Sequence, residues 1–285
     1  MLHKLYWRGL GPALRVLGPD VTLPASVMAA RAASRLKRWP GIAQGVRLGF
    51  PDAGEDFVQD VVRGDARRRF RTALDRLVIP TMDRAALERL VDVEGVEHLL
   101  AGPAIVVQAH FGVHGLPGVG LALCGVPLTV HAVMIPDDQL PPGRGYSQAQ
   151  RRELEQRLGV IQYVHAPGRE GLAQCRAVLE RGEVLLGVPD GASSLELVPG
   201  EARELPALGR TLRWPRYAFD LATEVGVPIC GLFPDSSGPR HRLEVVALDQ
   251  DDPQADFVAR YDAMLRRVPA QWQFWEHFRP GGLLV

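Results

Sequence analysis

The side chains best suited to chemistry are gathered in one short stretch, Gln108-Ala109-His110-Phe111-Gly112-Val113-His114-Gly115. An imidazole at His110 can take a proton from a hydroxyl or an amine, because histidine titrates closest to neutral pH. Gly112 lets backbone or ligand come close, and the N–H groups of Phe111, Gly112 and Val113 are candidate donors to a developing oxyanion. His114 lies four residues after His110, the spacing at which two side chains on one helix face can hold zinc. That pattern would require a glutamate directly after the first histidine, but Phe111 stands there, and Gly112 and Gly115 favour a turn. No metal or bound cofactor is expected. Asp190 ends a second apolar run, and Arg169 and Arg210 are candidates for holding a phosphate.

Alternating elements must position these residues. Phe57, Val61, Val62, Phe70, Leu74, Leu77 and Val78 recur at three-to-four-residue spacing and predict helix over residues 52–89, interrupted at Pro80. Ala104-Ile105-Val106-Val107-Gln108-Ala109 is a short β-branched run between Gly102-Pro103 and His110, which predicts a buried strand with His110 at its carboxyl end. Helix is then expected over 116–124, 147–158, 173–180, 217–224 and 254–267. Strand is expected over 128–133, 160–164, 184–188, 227–233 and 243–247. This alternation gives an α/β fold: a mixed, mostly parallel central sheet flanked by helices, with a helical N-terminal region. The expected organisation is a helical region over residues 1–90 packed on an α/β core over 91–285, within one structural domain. In such sheets ligands gather beyond the carboxyl ends of the strands, where His110 and Asp190 both fall.

Composition narrows the function classes. The 285 residues carry 33 basic and 33 acidic side chains and are 46% hydrophobic, a profile that excludes disordered and fibrous chains. Three scattered cysteines, Cys124, Cys175 and Cys230, form neither a disulfide framework nor a metal-ligand spacing, and they fit a reducing, cytoplasmic compartment. Apolar runs stop well short of the roughly 18 residues that span a membrane. Charge is segregated: residues 1–50 hold eight Lys and Arg against Asp20, so that segment is +7 and the remainder −7. With Leu2, Leu5, Tyr6, Trp7, Leu10 and Leu14 at roughly helical spacing, it suits peripheral contact with the inner face of an anionic membrane, docking on an acidic carrier protein, or simple coverage of the domain. No Walker loop, dinucleotide fingerprint or serine-hydrolase elbow occurs. Arg67-Arg68-Arg69-Phe70-Arg71 is better read as a solvated helix face than as a nucleic-acid site.

His110-Phe111-Gly112 after an apolar strand, followed by a small-residue helix, resembles the motif block of the lysophospholipid acyltransferase superfamily, specifically its lipid A late acyltransferase branch. Arg47-Leu48-Gly49-Phe50-Pro51, the stretch Val93 to Leu99, the stretch Arg181 to Asp190, Leu208-Gly209-Arg210 with Pro215, and the stretch Gln271 to His277 are similar to further blocks of that branch, in the same order. The resemblance implies an acyltransferase. An acyl group would pass from a thioester, of acyl carrier protein or coenzyme A, to a hydroxyl or amine on a small-molecule or lipid acceptor. His110 would be the base, and Phe111, Gly112, Val113, His114, Arg169 and Arg210 would line the substrate.

The family motif places an acid five positions beyond the histidine, and here that position is Gly115. No acidic residue occurs between His110 and Asp137. Three explanations stay open: another carboxylate, Asp190 first, orients His110; His110 works alone on an amine; or the chain is a non-catalytic lipid- or carrier-binding relative. Members of the branch usually carry a membrane anchor and a strongly basic charge, whereas this chain is neutral, so specialised metabolism is favoured over lipid A as the setting.

Overall fold

The computed structural model describes residues 40–113, 115–131, 153–159, 162–164, 168–190 and 202–280, with Met28 and Leu284. Most of the basic N-terminal segment, and so its expected membrane or carrier contact, lies outside the described residues. So does His114.

Helices come first: α1 (Pro40–Gly49), α2 (Glu55–Val78) and, after a 3-10 turn at Ile79–Thr81, α3 (Arg84–Leu90). The turn falls at Pro80, whose missing N–H and ring end the long helix as expected. Asp83 caps α3, its carboxylate accepting the Ala86 N–H at 2.7 Å. The α/β part then runs β1 (Val91–Glu94), α4 (Glu97–Leu100), β2 (Ala104–Gln108), α5 (Leu116–Leu123), β3 (Leu128–His131), β4 (Gln162–Val164), α6 (Gly168–Glu180) and β5 (Val184–Gly187). After a two-stranded ribbon, β6 (Ala202–Ala207) and β7 (Arg210–Pro215), come α7 (Tyr217–Val225), β8 (Ile229–Asp235), β9 (His241–Ala247) and α8 (Pro253–Arg267).

Among the described residues, seven strands form one sheet in the order β1-β9-β8-β2-β5-β3-β4. All neighbours are parallel except β8 and β9, so the sheet is mixed and mostly parallel, as the alternation of elements predicts. Buried β2 sits in the middle, and its side chains alternate between two cores. Ile105, Val107 and Ala109 join the core that holds Tyr217, Phe257 and Trp272; Ala104 and Val106 join that of Leu87, Leu116 and Val119. Both faces are covered, which is why the strand reads as continuous apolar sequence. Ile105 is fully buried, and cutting it to Ala would cost about 2–5 kcal/mol.

The N-terminal helices share the first core: Ile42, Val46 and Val58 cluster with Trp272, Trp275 and Phe278. A Cβ on Gly45 would stand 1.9 Å from the Trp275 carbonyl oxygen, so α1 lies directly on the C-terminal backbone.

The ribbon of β6 and β7 is not anticipated by the sequence reading. Its turn is Leu208-Gly209, with φ of 53° and 69°, and Ala207 pairs with Arg210 across it. Two successive positive φ values match the twist of a tight hairpin. Leucine is an unusual occupant, held there by burial of its side chain and by donation of its N–H to Asp262 Oδ1 at 2.6 Å. The block Leu208-Gly209-Arg210 is thus a hairpin corner.

Because β8, β2, β5 and β3 are mutually parallel, their carboxyl ends lie along one rim of the sheet. In spatial order that rim receives Ser236, His110, Asp190 and His131.

Candidate active site

His110 stands two residues beyond β2, and Asp190 three beyond β5, the strand paired with β2 from Ala104↔Val184 to Val107↔Gly187. This register brings residues 80 apart in sequence side by side. Asp190 Oδ1 lies 2.6 Å from His110 Nδ1, and Asp190 Oδ2 accepts the His110 backbone N–H at 2.7 Å. The Trp272 indole N–H donates to the same Oδ2 at 3.3 Å. The Asp190 side chain has no exposure and that of His110 has 20%. A carboxylate oxygen only accepts, so the contact at Oδ1 is made by an N–H of the ring. The His110 proton therefore resides on Nδ1, and Nε2 on the far side of the ring is the basic nitrogen.

Two buried tyrosines face the carboxylate. Burial, with the Asp190 charge adding to it, pushes the hydroxyls of Tyr217 and Tyr261 well above the ordinary tyrosine value. Both hydroxyls therefore stay neutral. His131 ends β3 nearby with its ring edge-on to Tyr217, centroids 5.2 Å apart, and burial lowers its pKa.

The loop after β2 is gripped by the C-terminal aromatic segment. Gly112 N–H donates to the Gln271 carbonyl at 2.9 Å, Gln273 N–H to the His110 carbonyl at 3.0 Å, and Gln273 Nε2 to the Gly112 carbonyl at 3.2 Å. Phe111 bridges Trp272 in antiparallel fashion, and the Phe274 ring meets the His110 ring edge-on at 4.6 Å. Trp272 and Trp275 are three residues apart, a spacing that would set both on one apolar face in the core. Both are there, but the indole N–H of Trp272 also serves the site, which spacing alone does not reveal.

The backbone N–H groups of Phe111, Gly112 and Val113 turn to acceptors within the protein. Phe111 N–H donates to the Ala109 carbonyl at 2.8 Å, Gly112 N–H to Gln271, and Val113 N–H to Ser236 Oγ at 3.3 Å. Each donor already has an internal acceptor, and the side chains of Phe111 and Val113 are buried. Gly112 does adopt a φ of 60°, a left-handed conformation suited to glycine. Arg210 is also placed elsewhere. Its Nε is 3.4 Å from the Leu48 carbonyl, in a cleft of about 460 Å³ with Glu204, Thr211 and Pro280 that neither His110 nor Asp190 lines. Arg169 is exposed in the first turn of α6, with no contact to the pair among the described residues.

Gly115 begins α5 with φ 88°. The position that should carry the acid is left-handed, a conformation unfavourable to any side chain with a Cβ. Charge at the histidine comes instead from the neighbouring strand.

No protein-family model matches the sequence, and no curated protein does. The crystal structure of the 1-acyl-sn-glycerophosphate acyltransferase PlsC from Thermotoga maritima overlaps 71% of this chain and 79% of its own, at 17% identity and a TM-score of 0.35. Overlap at that level identifies no activity. Among the described residues no helix is long and apolar enough to cross a membrane.

Proposed function

We propose that this protein is an acyltransferase in which His110 is the general base and Asp190 its orienting carboxylate. The observation that carries the reading is the 2.6 Å contact between His110 Nδ1 and Asp190 Oδ1 at the carboxyl rim of a parallel sheet. Asp190 stands in for the motif acid absent at Gly115. The binding-only alternative rested on the lack of a carboxylate near His110, and this contact counts against it.

The sequence resemblance supplies the reaction, and the pair supplies its base. A hydroxyl or amine of the acceptor attacks the carbonyl carbon of an acyl thioester while His110 Nε2 takes its proton. The new O–C or N–C bond forms, the C–S bond breaks, and the imidazolium returns the proton to the leaving sulfur. Asp190 stabilises the imidazolium and holds the tautomer, the role of the acid in a catalytic triad without its serine. The donor is an acyl carrier protein or coenzyme A thioester, and the acceptor is a small molecule or a lipid.

Product analysis by mass spectrometry, over a panel of acyl thioesters with paired amine and alcohol acceptors, tests this. Acylated product should form with the wild type and fall about 10²-fold or more in folded His110→Ala. Equal turnover by that variant rejects the assignment.

A further inference from the structure

Across β2 from Asp190, the rim carries a second buried polar group. Ser236 follows β8, is 5% exposed, and its Oγ accepts the Val113 N–H at 3.3 Å. The same Oγ is 2.8 Å from Nδ1 of His241, which is wholly buried at the start of β9. On the other side of that ring, Nε2 is 3.1 Å from Arg71 Nη2.

Arg71 decides the polarity of this chain of contacts. A guanidinium offers only N–H donors, so the nitrogen facing it must be unprotonated and accept. The His241 ring proton is therefore on Nδ1 and donates to Ser236 Oγ. A serine oxygen has two acceptor sites; His241 fills one and Val113 N–H the other. Arg71 is itself anchored by the carbonyls of Ser236 and Pro239, each at 3.0 Å, and by that of Gly238. Its Nε is 3.4 Å from Asp75 Oδ2.

Among the described residues, the charged and titratable groups facing His241 are Arg71 and Asp75 of α2, with Asp75 Oδ2 3.8 Å from Nε2. Burial, then Arg71, draws the His241 pKa down to about 3, in keeping with a neutral ring. Ser236, His241 and Asp75 resemble a nucleophile triad in composition only. A histidine that donates to the serine oxygen cannot take its proton, so Ser236 is not activated for attack.

Gly112 closes the arrangement: a Cβ there would lie 2.5 Å from Ser236 Oγ, so the serine oxygen occupies the space a side chain would fill. We infer that Ser236, set in its accepting orientation by His241 and Arg71, is a positioning residue that fixes the Gly112–Val113 backbone and through it His110. The inference rests on His110 being the base, but its first two tests need no activity.

In wild-type protein, ¹⁵N NMR should find His241 neutral with its proton on Nδ1. A proton on Nε2, or a charged ring at pH 7, overturns the proposed polarity. In Ser236→Ala, amide exchange at Gly112 and Val113 should quicken roughly 5- to 10-fold over the rest of the sheet, the scale of one lost hydrogen bond. His241→Asn keeps an N–H near the Nδ1 position and should stay close to wild type, whereas His241→Leu should behave as Ser236→Ala. With an active substrate, Ser236→Ala should lower kcat about 10-fold at nearly constant KM, as expected of a misplaced base. Unchanged exchange and kcat in folded Ser236→Ala overturn the inference, as does an Asn variant no better than the Leu one. Failure of every substrate in the panel counts against the acyltransferase reading alone, since the NMR and exchange results still decide the role of Ser236.

Discussion

Asp190 engages His110 twice: Oδ1 meets the ring Nδ1 at 2.6 Å while Oδ2 receives the backbone N–H of the same residue at 2.7 Å. One carboxylate thus fixes both the ring and the backbone that carries it, and it does so from the adjacent parallel strand. Orientation of the imidazole is set from the neighbouring strand end as well as by the loop that carries it.

Asp190→Asn keeps the volume but removes the charge, and its amide can offer the ring the wrong hydrogen-bonding group. Acyl transfer at pH 7 should fall about 10²- to 10⁴-fold with little change in KM. Steady-state rates on protein with native circular dichroism check this. Loss under tenfold would mean that Asp190 is structural only.

Gly115→Glu places an acid at the family position, yet φ there is 88°, and a non-glycine residue pays about 1 kcal/mol or more in that region. Nδ1 is already taken by Asp190. The variant should be less stable in urea and no faster with alcohol acceptors; a gain in alcohol turnover would contradict the pairing.

Trp272→Phe removes one donor to Asp190 Oδ2 and leaves most of the ring packing. Activity should drop about 3- to 10-fold and stability by about 1 kcal/mol, as for a single buried hydrogen bond. The companion Trp275→Phe loses the bond to the Pro269 carbonyl and some ring packing against Phe50, Trp272 and Phe278, so its stability should fall while its kcat holds, and comparing the two separates the site from the core.

Stability should depend on pH through the buried cluster on α2 and β9. The His241 pKa is depressed from 6.5 to about 3, so its contribution is complete above pH 6.5 and is lost as pH falls towards 3. The carboxyl of Asp75 is raised by burial, against Arg71, from 3.8 to about 7, so its contribution is present below about pH 3.8 and is lost as pH rises towards 7. The two trends oppose each other between roughly pH 4 and 6.5. His241→Asn removes the first alone. The Tm advantage of wild type over this variant should shrink as pH is lowered from 7 to 4, by up to about 1.4 kcal/mol per pH unit in free energy. A constant difference would place no titration on His241.

Much of the architecture was legible in local pattern. Burial on two faces leaves a continuous apolar run, so Ala104–Gln108 announces a central strand and places His110 at its end. Helix periodicity and Pro80 likewise delimit Glu55–Val78 and Arg84–Leu90. Asp190 could be singled out as a strand-end acid, but local pattern could not order β5 beside β2. Strand order is set by crossover packing between distant segments, and no single segment encodes it. The same long-range decision brought Ser236 to the other flank of the loop, turned the indole N–H of a core tryptophan towards Asp190, and occupied the three backbone donors that looked available in the sequence. The β6–β7 ribbon escaped notice because Leu208 adopts a left-handed turn only through its buried side chain and Asp262. The sequence by itself determined which residues could do chemistry and at which strand ends they stand; the tertiary structure decided which of them meet, because hydrogen bonds between strand ends exist only once the sheet has chosen its neighbours.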